Sequence, residues 1–132
     1  GYASDREGSQ KTPPDIPVAV PSIGNFLALI GNQASAQLTT GLTQAMAPMI
    51  PVVPLIVPGN GEQLPDTRRS DHTAFGEQGF AAVMVTDTAN FRNPHYHRST
   101  DTIDTLNLTF LTAVADAVTA AVLALAATPE RP

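Results

Sequence analysis

Residues 80–88 read FAAVMVTDT, and this stretch does most to decide the fold class. A continuous apolar run of this length, ending in polar residues, is typical of a strand buried on both faces of a sheet. Two further runs predict short strands. GNFLALIGN at 24–32 is bounded by Gly-Asn on both sides, and the proline-rich PVVPLIVPG at 51–59 leaves room for one strand over 52–57.

Segments with helical spacing alternate with these strands. Residues 34–47 place Leu38, Leu42 and Met46 four residues apart, as an amphipathic helix would. The order along the chain is therefore strand, helix, strand, helix, strand, helix, which predicts a layered α/β fold with a largely parallel sheet. In such sheets, functional sites form in the loops beyond the carboxyl ends of the strands.

The other two predicted helices begin at residues that favour helix caps. Ser70 is expected to cap a short helix within DHTAFGEQ (71–78), and Asn107 is expected to cap a long helix that extends to residue 127. The apolar face expected of the long helix consists of Leu111, Val114, Val118, Val122 and Leu125.

Composition excludes several classes of function. The 132 residues suit one domain, and the absence of cysteine rules out disulfides, thiol nucleophiles and Cys-based metal sites. Seven basic against 12 acidic residues give a net charge of −5, which argues against a nucleic-acid partner. No charge-free apolar run reaches the roughly 18–20 residues of a membrane span, so no span is expected.

The two ends of the chain differ from its middle. Residues 1–23 include four prolines and no sustained periodicity, which predicts an irregular extended segment. Strands and helices alternate over 24–127, and 128–132 form a tail. Because the chain opens on Gly1 and Tyr2 without an initiator Met, a signal segment or a cap, we expect it to be part of something longer.

Two segments carry residues that could do chemistry. His95 and His97 follow the predicted strand 80–88 and are surrounded by aspartates, which suits a zinc or other first-row metal, although loop histidines in solvent fit the spacing as well. Ser70, Asp71 and His72 cannot form a hydrolase triad, because adjacent side chains diverge. A helix cap with hydrogen bonds that hold a loop is the alternative for them.

These same residues resemble a known family. The stretch RRSDHTAFGEQGFAAVMVTDTANFRNPHYHRSTDTIDTLN at 68–107 resembles the C-terminal region of the two-zinc aminopeptidases, whose relatives include bacterial leucyl aminopeptidases, glutamate carboxypeptidase and the glutaminyl cyclases. The residues that carry the resemblance are Ser-Asp-His, a short helix, a buried strand, and the Tyr96-His97 pair followed by Ser99, Asp101 and Thr102. Upstream, GYASDREGSQ and GNFLALIGN also resemble the middle of that family.

The resemblance implies a three-layer α/β/α sandwich with a mostly parallel mixed sheet, of which this chain is the C-terminal portion. It implies that His97 ligates one of two zincs and that Tyr96 contacts the substrate or its oxyanion. It implies structural or supporting roles for Ser70, Asp71 and Asp101, whereas His95 matches no ligand of the family. An apolar substrate pocket is expected at Val85, Ala89 and Phe91, although Phe91 could equally belong to the core.

The departures from the family pattern limit what this chain can do. The Glu-Glu pair that supplies the general base and the His-x-Asp that supplies metal ligands do not occur here, so His97 is the one implied zinc ligand. We expect a zinc exopeptidase that hydrolyses N-terminal peptide bonds, completed by a missing N-terminal portion or another chain, and we expect this chain alone to be inactive. The alternatives are a non-catalytic half-fold that binds a partner or oligomerises, and an acyl transfer like that of the glutaminyl cyclases.

Overall fold

The computed structural model describes residues 1–127, and the predicted tail at 128–132 lies outside the described residues. Within them, strands and helices alternate as the sequence predicts. The elements are β1 (Leu27–Asn32), α1 (Ala36–Met46), β2 (Val52–Val57), α2 (His72–Glu77), β3 (Val83–Thr86) and α3 (Leu108–Ala126), with short 3-10 turns at Gln33–Ser35, Pro65–Arg68, Ala89–Phe91 and Ile103–Thr105.

The three strands form one mixed sheet in the order β2-β1-β3. Strand β2 pairs parallel to β1, with Leu27 opposite Val52, whereas β3 pairs antiparallel to β1, with Ala28 opposite Thr86. The α/β class with a mixed sheet is confirmed. The antiparallel direction of β3 is a feature that the alternation of strands and helices did not indicate.

One face of the sheet packs against α1 and α3. Leu27 and Leu29 point to this side because alternate residues of a strand face the same way, and they form a core with Met46 of α1. Ala117 and Ala121 of α3 are completely buried in the same core. These alanines are small, so α3 can lie close against its neighbours.

The irregular N-terminal segment helps to cover the opposite face. Ala28 and Ile30 of β1 lie on this side with Leu55 and Val57 of β2, and Ile16 and Val20 pack against that cluster. No helix or strand forms over 1–23. The segment is nevertheless part of the core, which its lack of periodicity did not indicate.

Strand β3 is an edge strand, so the prediction that 80–88 is buried on both faces is wrong. Its residues are half-buried or exposed, and the side chain of Phe80 just before it is 63% exposed. The strand is also shorter than predicted, since it covers Val83–Thr86 rather than the whole run 80–88. A hydrophobic run indicates a strand, but its burial depends on whether a further strand or layer lies beside it.

The buried face of α3 is displaced from the predicted one. Phe110, Ala117 and Ala121 are buried, whereas Leu111 and Val122, both assigned to the core face, are 39% and 55% exposed. The prediction is correct for Val114 and Val118, which pack against the core. Because α3 is apolar almost all round, the larger aliphatic residues did not mark its buried side.

Of the two predicted helix caps, the one at Asn107 is present and the one at Ser70 is not. Asn107 caps α3 as predicted, since its side chain accepts a hydrogen bond from the backbone N–H of Phe110 at 2.9 Å. The prediction for Ser70 is wrong: α2 begins at His72 with Asp71 in the cap position, and the Asp71 side chain makes no capping bond. Helix α2 is instead anchored by His72, as described below.

Helix α3 is long and apolar enough to cross a membrane, by length and composition alone. Its 19 residues have a mean hydropathy of 2.0 over the most apolar window, of which 17% is buried. The helix also carries the charged Asp116 at its middle and packs Ala117 and Ala121 into the core. Core helices of globular domains pass the same criteria, so this feature by itself assigns no membrane.

Candidate functional site

A cleft of about 260 Å³ lies where β3 ends, between the N-terminal segment and the turn at Pro65–Arg68. Strand β3 and the loop after it form one wall, whereas Pro13 and Ile16 contribute from the N-terminal segment. Five of the eight residues singled out from the sequence line this cleft: Ser70, Val85, Ala89, Phe91 and Tyr96. Asp71, His97 and Asp101 do not.

The loop at the end of β3 has an unusual backbone conformation. Thr88 and Ala89 have φ values of 69° and 48°, a region that residues other than glycine rarely adopt and that is especially unfavourable for a β-branched residue. Asp87, immediately before them, accepts hydrogen bonds from the backbone nitrogens of Gly1 at 2.8 Å and Tyr2 at 2.9 Å. These bonds attach the start of the chain to the cleft loop.

Hydrogen bonding keeps the Asp87 carboxylate charged. Partial burial acts to raise the pKa of Asp87, but the bonds from the Gly1 amino group and the Tyr2 amide outweigh it, so the pKa lies below its ordinary value of 3.8. The carboxylate therefore places a negative charge in the wall of the cleft at neutral pH.

Tyr96 and His97 are adjacent and their rings stack. The ring centroids lie 3.9 Å apart at an interplanar angle of 14°. The Arg69 guanidinium lies 5.7 Å from the centroid of the Tyr96 ring, as a cation–π pair. Tyr96 is half-buried and lines the cleft, whereas His97 is exposed outside it. Within residues 1–127, neither the phenol oxygen nor the His97 imidazole makes a hydrogen bond, so both are available to a ligand.

His95 and His97 occupy different environments. The chain from 94 to 97 is a turn, and His97 has a φ of 58°, so the extended conformation that would align both rings does not occur. The Nδ1 atom of His95 lies 3.0 Å from the Thr100 hydroxyl. Asp101 is exposed and accepts a bond from the Asn93 side chain at 3.3 Å, rather than contacting either imidazole.

The Ser-Asp-His segment fixes α2 to the preceding turn. The Nε2 atom of His72 lies 2.9 Å from the carbonyl oxygen of Thr67, and this contact holds the helix against the turn at Pro65–Arg68. Ser70 and Asp71 are exposed, and Ser70 reaches the rim of the cleft. The three side chains do not contact one another, in keeping with the argument against a triad.

The described residues do not bring together a metal-binding set. Among residues 1–127, no group of three His, Asp or Glu side chains is close enough to hold an ion. His97 has the chemistry of a single ligand: it is exposed, and its ring nitrogens are free of hydrogen bonds within this part of the chain. One imidazole fits a zinc site only if the other ligands come from outside the described residues.

Sequence reasoning missed two charged groups at the cleft. Arg69 and Asp66 both line it and pair with each other at 3.2 Å, and Arg69 also donates to the Asn90 side chain at 2.7 Å. Arg69 directly precedes Ser-Asp-His, but no spacing in the sequence links it to Tyr96 or Asn90. The contacts of Arg69 with Asn90 and Tyr96 join residues that are more than 20 positions apart, which only the folded chain reveals.

Comparison with known proteins identifies the fold's family. A family profile described as peptidase family M28 matches residues 16–122, a range that includes the cleft loop, Tyr96 and His97. The chain belongs to peptidase family M28. It is 32% identical over 123 residues to the uncharacterized protein YfbL of Escherichia coli strain K12, an alignment that covers 89% of this chain and 36% of that relative. This M28 chain thus spans about a third of the relative's length, and no solved structure matches it significantly.

Proposed function

We propose that this chain is the C-terminal portion of a zinc-dependent exopeptidase catalytic domain that hydrolyses N-terminal peptide bonds. The observation that carries the proposal is the pairing of a cleft-lining phenol, Tyr96, with an unbonded imidazole, His97, in a chain of peptidase family M28. The resemblance to two-zinc aminopeptidases described above indicates the reaction to expect, which is hydrolysis of an N-terminal peptide bond.

The residues of this chain would bind and polarise a peptide. Tyr96 has a free hydroxyl at the cleft, and a phenol donor there would stabilise the oxygen on which negative charge develops during attack on a peptide carbonyl. The walls formed by Val85, Ala89 and Phe91 would receive an apolar side chain of the substrate. Asp66 and Asp87 also line the cleft, where Asp66 pairs with Arg69 and Asp87 pairs with the amino group of Gly1.

His97 is the residue of this chain that would hold zinc. A complete site would take two zincs, which supply Lewis acidity and an activated water when bound. The remaining ligands and the glutamate base would come from the missing portion of the same domain or from another chain. Ser70, Asp71 and Asp101 would support this arrangement from the loops around it.

The test is the zinc-to-chain ratio of the purified protein by elemental analysis. His95→Ala is the matched control for His97→Ala, because both imidazoles lie in one loop. A ratio near two that falls in His97→Ala and persists in His95→Ala supports the proposal. A ratio that His97→Ala leaves unchanged contradicts a zinc site that contains His97, whereas a ratio near zero means that the segments supplying the other ligands are absent from the purified protein.

Substrate choice is tested separately from metal content. In a protein that also contains the segments supplying the glutamate base and the other zinc ligands, an aminoacyl anilide with a free amino group should be hydrolysed, and the same anilide with an acetylated amino group should not. Equal hydrolysis of both compounds would argue against an exopeptidase. Cyclisation of an N-terminal glutaminyl peptide without hydrolysis would instead indicate the acyl transfer of the glutaminyl cyclases.

A non-catalytic binding or oligomerisation module is the second candidate. It is favoured by the open edge of β3, where Val85 is 37% exposed and Phe80 is 63% exposed, and by the lack of a three-ligand group among the described residues. A zinc-free protein that self-associates, or that keeps a partner after His97→Ala, would support this candidate.

A further inference from the structure

The two walls of the cleft are joined by a buried side chain, Gln10. Gln10 is only 6% exposed, although glutamine is usually found at the surface, and both polar atoms of its side chain make hydrogen bonds. Gln10 precedes Pro13 and Ile16, which line one side of the cleft, whereas Thr88 belongs to the loop that lines the other.

The carbonyl oxygen of the Gln10 side chain has two polar contacts with the cleft loop. Arg92 Nε donates to it at 2.9 Å, and Thr88 Oγ1 lies 2.8 Å from it and 2.6 Å from the carbonyl oxygen of Asp87, so the single hydroxyl hydrogen is shared between two acceptors. The side-chain nitrogen of Gln10 donates to the carbonyl oxygen of Lys11 at 2.8 Å. Next to it, the backbone N–H of Lys11 donates to the carbonyl oxygen of Phe91, also at 2.8 Å.

Arg92 is the cation of this network and is 5% exposed. Burial lowers its pKa to about 10, partly offset by the charge of Asp87, so the guanidinium remains charged at neutral pH. It lies 4.6 Å from the centroid of the Phe26 ring, and its second contact, from Nη1 to the carbonyl oxygen of Tyr2, is long at 3.4 Å. The bond to Gln10 is therefore its shortest polar contact.

We infer that Gln10 and Arg92 are positioning residues that set the conformation of the cleft loop. Thr88 and Ala89 adopt φ values that cost energy, and such a backbone persists only where neighbouring contacts hold it. The acceptor oxygen of Gln10 supplies such a contact through Thr88. The contact between Gln10 and Thr88 thereby holds three residues in position in the cleft wall: Asp87, Ala89 and Phe91.

The inference deepens the proposed function, because the cleft is where we place the substrate, but its test does not depend on activity. It compares Gln10→Met, which keeps the length and loses the acceptor, with Gln10→Glu, which keeps an acceptor oxygen. The first measurement is hydrogen exchange of the Lys11 amide, which bridges the two walls. The reference is the Leu29 amide, which lies in the fully buried part of β1.

Protection of the Lys11 amide should fall at least about tenfold in Gln10→Met, because two polar contacts with the acceptor are lost and Arg92 is left poorly paired. It should stay within about threefold of the unmodified protein in Gln10→Glu, with Leu29 unchanged in both variants. Unchanged protection in Gln10→Met, or an equal loss in both variants, overturns the inference. Failure of the zinc test would leave these outcomes unaffected.

A second measurement covers the case in which Gln10→Met does not fold. The Nε–H of Arg92 in the unmodified protein should give a side-chain NMR signal that exchanges with water much more slowly than that of Arg98, which is exposed. Exchange of the two signals at the same rate would show that the buried bond to Gln10 does not persist, and would overturn the inference.

Discussion

The contact between Gly31 of β1 and Thr39 of α1 leads to a prediction that can be tested quantitatively. A Cβ atom at Gly31 would lie 2.2 Å from the Thr39 hydroxyl oxygen and 3.2 Å from the Cβ of Ser35. Thr39 cannot move away easily, because it is fully buried and donates a hydrogen bond to the carbonyl oxygen of Ser35 at 2.9 Å. Gly31→Ala should therefore force the helix away from the strand.

The expected cost follows from overpacking of a buried contact. Gly31→Ala should lower the free energy of unfolding by about 3 kcal/mol, the upper part of the range for overpacked cores. Thr39→Ala removes one hydrogen bond and a methyl group and should cost about 2 kcal/mol. The double variant no longer has the clash, so it should cost about 2–3 kcal/mol, which is about 2–3 kcal/mol less than the sum.

Urea unfolding followed by far-ultraviolet circular dichroism measures all four proteins of this cycle. Gly41→Ala is the matched control: its new Cβ would meet only the terminal methyl of Leu125 at 3.3 Å, and alanine favours the helix by about 1 kcal/mol over glycine. This control should not be destabilised. The reasoning would be refuted if the double variant lost as much free energy of unfolding as the two single variants together. That result would show that the two side chains do not compete for space.

Three further predictions concern single positions. Asn107→Ala should lower the free energy of unfolding by about 1 kcal/mol in the same assay, because it removes the cap on the Phe110 amide. Ala117→Leu should cost about 1–3 kcal/mol because its site is fully buried, whereas Ala115→Leu on the exposed side of α3 should cost little. The pKa of Asp87 is lower in the folded than in the unfolded state, so its contribution to stability is present above pH 3.8 and is lost as the pH falls through the folded-state pKa. Urea midpoints measured between about pH 2 and pH 5 should fall less steeply with acid in Asp87→Asn than in the unmodified protein.

The sequence predicted the positions of the strands and helices well, but it predicted less well which of their residues are buried. Strand β2 has the predicted limits, and β1 and β3 lie within the predicted runs, because apolar runs between breaking residues specify strands locally. The exposure of β3 was not predicted, since a strand's neighbours lie elsewhere in the sequence. The register of α3 was misjudged because Ala117 and Ala121 are weak hydrophobic signals, although small size is what a close approach between helices needs.

The cleft residues, too, could be predicted where a nearby strand determines their position, but not where distant contacts do. Tyr96, Ala89 and Phe91 could be placed near one site because they follow a strand, where α/β folds form their clefts. The contributions of Arg69 and Gln10 could not be foreseen, since each acts through contacts with residues far along the chain. No spacing rule connects such positions, and both residue types are common at surfaces.

The cleft and the proposed metal ligand differ in what they require from the rest of a peptidase. The cleft walls come entirely from the described residues, and buried polar contacts of Gln10 and Arg92 hold them together. His97, in contrast, lies outside the cleft and has no partner ligand within residues 1–127. Under the function proposed above, this chain would form the wall that recognises a substrate and would depend on other segments for the metal. Binding of a peptide's apolar side chain and binding of zinc should then be separable: His97→Ala should lower the zinc content and leave the Lys11 amide, and with it the cleft, unchanged.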